Sequence, residues 1–236
     1  MRTVILAGGK GTRLKPYTTV IPKPLMPIDD MPVIEVVVRQ LQYAGIDRIT
    51  IAVGHLSGLI MAFFNDSDKY RVKIDYSIEE NPLGTAGPLS LIGDLEETFL
   101  VMNGDVLTTL DYKKLIEYHK NENAIATIAM QKRNVKLDFG VIESQSDNRL
   151  IDYHEKPEHF YDVSMGIYVF EPRVLEYIKS GKKLDFPDLV KKLIKAKEKV
   201  MVYPTSDFWL DIGRWEDFEK AVEEFQTNRK RFLPDE

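Results

Sequence analysis

A glycine-rich loop with three cationic side chains follows the first apolar segment of the chain. Residues 6–16 read Leu-Ala-Gly-Gly-Lys-Gly-Thr-Arg-Leu-Lys-Pro. Glycines allow backbone N–H groups to approach an anion closely, and Lys10, Arg13 and Lys15 add positive charge. The loop therefore predicts a phosphate-binding site. A glycine turn with a purely structural role is the less favoured alternative.

Two common nucleotide-binding motifs do not fit this loop. A Walker P-loop requires Gly-Lys followed by Ser or Thr, whereas Gly11 follows Lys10. A dinucleotide-binding Gly-x-Gly-x-x-Gly motif begins at Gly9, but Leu14 occupies the position of its third glycine. The loop thus indicates phosphate binding of another kind.

Two aspartates at distant positions are candidates for a metal site. Asp105 ends the run Thr-Phe-Leu-Val-Met-Asn-Gly-Asp, and Asp211 lies in Phe-Trp-Leu-Asp-Ile-Gly. Ligands bind at the edge of an open α/β sheet where its parallel strands end. Mg²⁺ prefers carboxylate oxygens together with substrate phosphates. Each aspartate taken singly is more typical of a turn or cap, but a converging pair would suit Mg²⁺.

The composition excludes several other classes of function. The 236 residues include no cysteine, which excludes disulfides, thiolate catalysis and cysteine-ligated metals. A formal net charge of −5 provides no basic field for nucleic acid. No apolar run approaches the ~20 residues that cross a membrane, and a cytoplasmic location is the default expectation. The four histidines are expected in loops or solvent rather than in a zinc site.

Short apolar segments alternate with amphipathic helical patterns in the first half of the chain. This alternation predicts a mostly parallel sheet with helices on both faces. Strand-like segments with few helices between them follow, which indicates an antiparallel or mixed extension. The predicted strands are residues 3–7, 48–53, 72–78, 98–102, 124–131, 139–144, 149–155 and 163–170. The predicted helices are residues 33–44, 56–65, 85–92, 111–121, 171–179, 187–196 and 214–227.

Particular residues mark the ends and the buried face of some helices. Gly45 is predicted to cap the carboxyl end of the helix at 33–44, and Asp111 to cap the start of the helix that follows it. The helix at 214–227 carries an apolar stripe that includes Trp215 and Phe218. This stripe is expected to dock on its own domain, with a second subunit as the alternative.

The glycine loop and the Pro-Lys-Pro-Leu segment at 22–25 resemble the opening motifs of the sugar-1-phosphate nucleotidyltransferases. The segments Pro-Leu-Gly-Thr-Ala-Gly at 82–87 and Phe-Trp-Leu-Asp-Ile-Gly at 208–213 are most similar to the mannose-1-phosphate and heptose-1-phosphate guanylyltransferases. The resemblance extends from the first strand to about residue 220. It implies a doubly wound, Rossmann-like α/β fold with a sugar-binding extension, and Mg²⁺ as the cofactor.

The resemblance also implies roles for residues around the triphosphate. Arg13 would bind the β and γ phosphates, Lys23 the α phosphate, and Asp105 with Asp211 the Mg²⁺ ion. Arg13, Lys23 and Asp105 are the implied catalytic residues. The residues implied to contact the nucleotide are Leu6, Ala7, Gly8, Gly9, Gly11, Thr12, Glu80, Gly84, Thr85 and Gly104.

The base and the sugar are implied by less specific matches. Glu80 would accept hydrogen bonds from guanine, since the loop lacks the glutamine with which pyrimidine-specific relatives often read the base. Ser164 stands where the family often has asparagine, so the sequence does not select one sugar. The residues implied to contact the sugar phosphate are Gly140, Glu155, Lys156, Ser164 and Gly166.

Together these features predict a single nucleotidyltransferase catalytic domain over residues 1–236, without the left-handed β-helix that many relatives carry. Its expected reaction joins the nucleoside monophosphate of an NTP, with GTP favoured, to a sugar 1-phosphate of mannose or heptose type. Uridylyl, cytidylyl or thymidylyl transfer to glucose 1-phosphate or another sugar 1-phosphate is the alternative. Neither nucleic acid nor a membrane is an expected partner, and a homo-oligomer remains open.

Two other classes of protein fit the sequence less well. A non-catalytic NDP-sugar-binding subunit would be expected to lose Arg13, Lys23 or an aspartate, and all are present. A metal-dependent glycosyltransferase usually shows Asp-x-Asp at its metal, whereas Asn103 and Gly104 precede Asp105.

Overall fold

A seven-stranded mixed sheet forms the centre of the computed structural model, which describes residues 1–234, apart from the side chains of residues 67 and 68. The remainder of the predicted domain, residues 235 and 236, lies outside the described residues. The strands are β1 (Arg2–Ala7), β2 (Arg48–Val53), β3 (Lys73–Ile78), β4 (Phe99–Asn103), β5 (Val106–Thr108), β6 (Ala126–Lys136), β7 (Val141–Ser144), β8 (Leu150–His154), β9 (Glu158–Phe170), β10 (Val200–Thr205) and β11 (Trp209–Asp211). The helices are α1 (Val33–Tyr43), α2 (Ser57–Phe63), α3 (Tyr112–Glu122), α4 (Phe186–Lys195) and α5 (Trp215–Phe232).

The strand order in the sheet is β10-β6-β9-β4-β1-β2-β3. β1 pairs in parallel with β2 and β4, and β2 pairs in parallel with β3. β9 runs antiparallel to both β4 and β6, while β10 is parallel to β6. The predicted α/β class, a mostly parallel sheet with an antiparallel part, is therefore confirmed. β1 and β2 are apolar along nearly their whole length because both sheet faces are covered.

The predicted helix ends are also confirmed. Gly45 follows α1 with φ of 85°, a left-handed conformation that glycine adopts without steric cost. The Asp111 side chain accepts a hydrogen bond of 3.2 Å from the backbone N–H of Lys114 at the start of α3. Among residues 1–234, none of the helices combines the length and the apolar character needed to cross a membrane.

Three strands were not predicted, and two predicted helices take another form. β5 and β11 have only three residues each, which is too short to show an alternating pattern. β10 contains Pro204, which argues against a central strand but is tolerated at the sheet edge. The segments predicted as helices at 85–92 and 171–179 form short 3₁₀ helices, Gly87–Leu91 and Pro172–Tyr177. Such short runs are typical of 3₁₀ structure.

Helix α5 packs beneath the glycine loop. Phe218 and Phe225 are buried in one apolar cluster with Leu14 and Met26 from the first part of the chain. Docking of this helix on its own domain is therefore confirmed. Trp215, at its start, instead stacks on Tyr17, with ring centroids 5.2 Å apart. Helix α5 thus packs against residues in and just after the glycine loop.

Residues 132–164 form a projecting segment, here called the arm, that has no buried residue. The arm contains the outer part of the long β6–β9 pair and the separate two-stranded β7–β8 sheet. Within it, Gly140, Val141, Pro157 and Val163 are partly covered, and the others are exposed. The predicted antiparallel extension is present, but it does not lie over the main sheet.

One histidine departs from the expectation of solvated histidines. His119, on α3, is fully buried. Its Nδ1 lies 2.8 Å from Thr127 Oγ1, and its Nε2 lies 3.2 Å from Glu171 Oε1. A neutral ring satisfies both contacts if Nε2–H donates to the carboxylate and Nδ1 accepts from the hydroxyl. Burial lowers the pKa of His119, and the hydrogen bond to Glu171 opposes this shift only in part.

The buried His119 predicts that the folded protein loses stability in mild acid. The pKa of His119 is lower in the folded chain than the unfolded value of ~6.5. As the pH falls, the unfolded chain therefore binds a proton at this histidine before the folded chain does. The free energy of unfolding should therefore fall as the pH drops through ~6.5. Urea unfolding of His119→Gln should show a weaker dependence over this window, whereas the exposed His159→Gln should match the parent.

A second measurement covers the case in which His119→Gln fails to fold. An NMR titration of the parent protein should show that the imidazole of His119 has its titration midpoint below the ordinary value of ~6.5. A normal titration of all four imidazoles would contradict the burial argument.

Candidate active site

A cleft of about 410 Å³ opens beside the carboxyl ends of β1 and β4. It combines the glycine loop, one aspartate and the segment that follows β3. Most of the residues predicted to contact a nucleotide or to act in catalysis line this cleft. They are Leu6, Ala7, Gly8, Gly9, Gly11, Thr12, Arg13, Lys23, Gly84, Thr85 and Asp105.

The glycine loop folds back on itself above β1. Gly11 has φ of 57°, and a Cβ atom at this residue would lie only 2.9 Å from the Thr18 methyl group and 3.1 Å from Lys23 Cβ. The Thr18 hydroxyl donates a hydrogen bond of 2.7 Å to the carbonyl of Gly11. Both the conformation and the lack of space therefore require glycine at position 11. This fold brings Lys23 to the cleft.

The two predicted metal ligands converge. Asp105 follows β4, and Asp211 ends β11, which pairs antiparallel with β5 directly after Asp105. The backbone N–H of Ile212 donates a hydrogen bond of 3.1 Å to the carbonyl of Asp105. Through this short ribbon, chain segments far apart in sequence bring the two carboxylates near the same lysine, Lys23, although Asp105 lines the cleft and Asp211 does not.

Lys23 lies between the two carboxylates. Its Nζ atom contacts Asp105 Oδ2 and lies 3.4 Å from Asp211 Oδ1. Burial raises the pKa of Asp105, the charge of Lys23 opposes that rise, and the neighbouring charge of Asp211 adds to it. The site thus holds two acids whose mutual repulsion is offset by one ammonium group.

This pair of acids fits a divalent cation. Among residues 1–234, no group of three or more acidic, histidine or cysteine side chains surrounds a common point that could hold a metal. Mg²⁺, however, commonly takes one or two protein carboxylates and completes its shell with water and substrate phosphates. Asp105 and Asp211 supply such a set, and the ammonium of Lys23 already shows that a positive charge is favoured between them.

Arg13 lines the cleft, and its guanidinium lies close to Gly213, just after β11. A Cβ atom at Gly213 would lie 3.0 Å from one Arg13 guanidinium nitrogen and 3.2 Å from the guanidinium carbon. A side chain at 213 would therefore require the Arg13 guanidinium to shift by a few tenths of an ångström. Gly213 was not predicted as a site residue, although the Asp-Ile-Gly segment that contains it was noted.

The segment 83–87 closes the other side of the cleft and is tied to the start of α4. Asp185 Oδ1 accepts a hydrogen bond of 2.9 Å from the backbone N–H of Thr85. In return, the Thr85 hydroxyl accepts one of 2.9 Å from the backbone N–H of Phe186. Gly84 has φ of 78° and no space for a Cβ atom, which would lie 2.6 Å from the Leu184 carbonyl oxygen. These contacts fix Gly84 and Thr85 in the cleft wall.

Residues 2–228 match the family model described as "Nucleotidyl transferase". The chain belongs to the nucleotidyl transferase family. Two curated relatives are each 35% identical to it: a UTP–glucose-1-phosphate uridylyltransferase of Synechocystis, over 94% of this chain, and a mannose-1-phosphate guanyltransferase of Yarrowia lipolytica, over 92%. This chain spans 62% of the length of each of them.

A solved structure shows the same similarity in three dimensions. HddC from Yersinia pseudotuberculosis, in complex with GMP-PN, superimposes with a TM-score of 0.72 and 28% identity. The match covers 95% of this chain and 99% of the HddC chain. The family resemblance stated from the glycine loop is therefore confirmed.

Two adjacent glutamates follow β3, and they differ in their relation to the cleft. The predicted Glu80 is exposed and does not line the cleft, whereas Glu79 does. Glu79 accepts a hydrogen bond of 2.9 Å from the backbone N–H of Leu83, and its Oε1 would lie 2.4 Å from a Cβ atom on Gly8. Burial raises the pKa of Glu79, and the Leu83 N–H opposes that shift.

The residues predicted to contact a sugar phosphate are not in the cleft wall. Gly140, Glu155 and Lys156 lie on the arm, and Tyr153 covers Gly140 so closely that a Cβ atom there would overlap its hydroxyl. Gly166 lies against the side-chain amide of Asn103, which does line the cleft. The Ser164 hydroxyl donates a hydrogen bond of 3.2 Å to Tyr168 and accepts one of 3.3 Å from the Gly166 N–H.

Several residues in or next to the cleft were not predicted from the sequence. Asp185 precedes Phe-Pro at the start of α4, a pattern that marks a helix start and could have identified it. Gly104, which was predicted, donates its N–H to the Leu6 carbonyl at 2.9 Å and joins β4 to β1 just below the cleft. The missed cleft residues are Pro24, Glu79, Pro82, Pro88 and Asn103.

Proposed function

We propose that this protein joins the nucleoside monophosphate of an NTP to a sugar 1-phosphate and releases pyrophosphate. The observation that carries the proposal is the convergence of Arg13, Lys23, Asp105 and Asp211 around one glycine loop. A loop of this kind suits phosphates, and the opposite wall at 83–87 is held rigidly by α4. Substrate positioning and charge neutralisation are the main requirements of such a transfer.

The roles of the residues follow from their charge and position. Backbone N–H groups of the glycine loop would hold the triphosphate, and Arg13 would bind the β and γ phosphates. Lys23 would bind the α phosphate, where negative charge increases during transfer. An oxygen of the sugar phosphate attacks the α-phosphorus, the bond to the bridging oxygen of the β phosphate breaks, and pyrophosphate leaves. The attacking oxygen is already anionic, so the reaction requires no general base.

Asp105 and Asp211 would hold Mg²⁺, which would supply positive charge to offset the negative charge of the bound phosphates. The β5–β11 ribbon and the hydrogen bond from the Ile212 N–H to the Asp105 carbonyl hold these two acids near each other. Glu155 and Lys156 would reach the sugar phosphate from the arm, and Ser164, Gly166 and Gly140 would line its path.

For the substrates, we propose a guanylyl transfer to a sugar 1-phosphate of mannose or heptose type. Two comparisons support this choice: the mannose-1-phosphate guanyltransferase relative and the similarity to HddC in complex with GMP-PN. The uridylyltransferase relative is equally identical, at 35%. Uridylyl, cytidylyl or thymidylyl transfer to glucose 1-phosphate or another sugar 1-phosphate is therefore the alternative. The carboxylate nearest to the base would be Glu79 rather than the predicted Glu80.

A matrix of nucleotides and sugar 1-phosphates tests both levels of the proposal. Purified protein is incubated with Mg²⁺, one of GTP, UTP, CTP, dTTP or ATP, and one sugar 1-phosphate, and pyrophosphate release is measured. We expect release that requires both substrates and is fastest with GTP. The discrimination between bases should be large, since a site that hydrogen-bonds one base leaves polar groups unpaired with another.

The outcomes of the matrix separate the alternatives. Faster turnover with UTP, CTP or dTTP would remove the guanylyl assignment and leave the reaction class intact. Binding of an NDP-sugar without pyrophosphate release from any pair would instead indicate a non-catalytic binding subunit. Reaction of an NDP-sugar with an acceptor, without an NTP, would indicate a glycosyltransferase.

A further inference from the structure

The segment at 82–88 gives the cleft an uncharged wall. Its sequence, Pro-Leu-Gly-Thr-Ala-Gly-Pro, contains no ionisable side chain. The charged residues that line the cleft all come from other segments, and they are Arg13, Lys23, Glu79 and Asp105. The phosphates of a nucleotide require cations, so the base and the ribose are the parts that suit the 82–88 wall.

The backbone at the start of α4 holds this wall in place. The Leu184 carbonyl accepts hydrogen bonds of 2.9 Å from the Ala86 N–H and 3.0 Å from the Gly87 N–H. The Leu184 N–H donates one of 2.9 Å to the Leu83 carbonyl. The two segments are therefore in direct backbone contact, and the position of the wall follows the position of the chain just before α4.

Asp185 uses its side chain for this wall rather than for its own helix. It occupies the N-cap position of α4, where an aspartate normally accepts a hydrogen bond from an N–H group of the first turn. Within residues 1–234, its side chain accepts no such bond from α4. Its Oδ1 instead accepts the Thr85 N–H at 2.9 Å, while the Thr85 hydroxyl accepts the Phe186 N–H at 2.9 Å. The helix and the wall thus cap each other.

The Asp185 carboxylate has little freedom to move without moving the wall. A Cβ atom at Gly84 would lie only 2.6 Å from Asp185 Oδ1, so this oxygen packs directly against the backbone of the wall. Gly84 and Thr85 both line the cleft, whereas Asp185 lies behind them. A displacement of the carboxylate would therefore be passed on to the surface that a nucleotide contacts.

We propose that Asp185 is a positioning residue that sets the distance between the 82–88 wall and the glycine loop, and that this distance determines which nucleotide base the cleft binds. This inference rests on the proposed function, in which the cleft holds an NTP. Asp185 acts through Gly84 and Thr85 and does not touch the nucleotide itself. A misplacement of ~1 Å in a binding site can cost up to ~10²-fold.

Two conservative variants separate the position of the carboxylate oxygen from its charge. Asp185→Asn keeps an oxygen acceptor at the same place and removes the charge. Asp185→Glu keeps the charge and moves the oxygens by one methylene group against a wall that has no space for them. Asp188→Glu, at an exposed aspartate in the first turn of α4, is the matched control.

The measurement is isothermal titration calorimetry of the full chain with Mg²⁺ and GTP, UTP, CTP or dTTP, in the absence of sugar 1-phosphate. We expect Asp185→Glu to raise the Kd of the best-bound nucleotide about tenfold and those of the others less. Asp185→Asn and Asp188→Glu should each stay within about twofold of the parent protein. A purely structural contact would change the unfolding temperature but not the ratios of the four Kd values.

Three outcomes would overturn the positioning role. The first is an Asp185→Glu variant that binds every nucleotide as the parent does. The second is equal weakening of all four nucleotides by this variant. The third is a loss in Asp185→Asn as large as that in Asp185→Glu, since the charge would then matter rather than the position. If Asp185→Glu does not fold, Asp185→Ala removes the acceptor without requiring space, and the same loss is expected.

The binding measurement distinguishes failure of this inference from failure of the proposed function. A parent protein that binds nucleotides selectively but releases no pyrophosphate would remove the proposed function, and the Kd values of the variants would still decide the role of Asp185. Pyrophosphate release by a parent whose base selection is unchanged in Asp185→Glu would leave the proposed function standing while the positioning role failed. A parent that binds no nucleotide would overturn both.

Discussion

Replacing Asp105 by asparagine is expected to lower kcat for pyrophosphate release by at least ~10²-fold, the typical loss for one preorganised charge-stabilising group. The amide keeps the shape of the carboxylate but not its negative charge, which would bind the metal. Burial raises the pKa of Asp105, so the charge itself is costly in the free protein. The neutral amide should therefore fold well, and the loss should be one of function.

The measurement is steady-state pyrophosphate release over a range of Mg²⁺ concentrations, together with a thermal unfolding curve. Asp188→Asn provides the matched control, because Asp188 is an exposed aspartate on α4 outside the cleft. The control should retain normal turnover. Near-normal turnover of the Asp105 variant, with its fold intact, would contradict the assignment of this residue to the metal.

Replacing Lys23 by methionine should have two effects of opposite sign. Turnover should fall by about 10²–10³-fold, because the positive charge at the α phosphate is lost. Metal binding by the free protein should become tighter, because the ammonium that contacts Asp105 and Asp211 would no longer compete for their oxygens. Two unit charges 4 Å apart near a protein surface interact with an energy of ~4 kcal/mol. We therefore expect the metal affinity of the variant to rise by at least about tenfold, which corresponds to ~1.4 kcal/mol.

Mn²⁺ binding in the absence of nucleotide, followed by electron paramagnetic resonance, measures the second effect without reference to catalysis. Lys220→Met, at an exposed lysine of α5, is the matched control and should leave both quantities unchanged. If the Lys23 variant binds Mn²⁺ no better than the parent protein, the ammonium does not occupy the cation position.

The part of the site that the sequence predicts best is the part built from adjacent residues. The glycine loop and the Pro-Lys-Pro segment lie next to each other in the chain, so their types and spacing are visible together. Asp105 is predicted because the end of a buried apolar run marks the ligand-binding edge of a sheet. Asp211 lies near Asp105 only because two three-residue strands, β5 and β11, pair with each other. Strands this short carry no recognisable pattern, so the prediction that the two aspartates act together rested on the family resemblance.

The sequence does not predict which of two adjacent residues faces the cleft. Glu79 and Glu80 follow β3 directly, and neighbouring residues in extended chain point to opposite sides. Which of the two faces the cleft depends on how the segment 79–83 turns, and the hydrogen bond from Leu83 to Glu79 fixes that turn. No pattern of residue types distinguishes two adjacent glutamates.

The sequence also does not show whether a residue is covered by elements that are distant in the chain. The apolar residues of β7 and β8 are those of an ordinary half-buried strand, so their sequence predicts strands correctly. It does not reveal that these strands have no sheet or helix to cover them. In the same way, His119 was expected in solvent because the polar partners that allow its burial, Thr127 and Glu171, come from other elements.

The packing of α5 beneath the glycine loop bears on how the protein is made. Leu14 and Met26 share one apolar cluster with Phe218 and Phe225, which are synthesised much later. A nascent chain on the ribosome therefore leaves this side of the cluster open until α5 has emerged. Chaperones that recognise exposed apolar surface can bind the early segment until then.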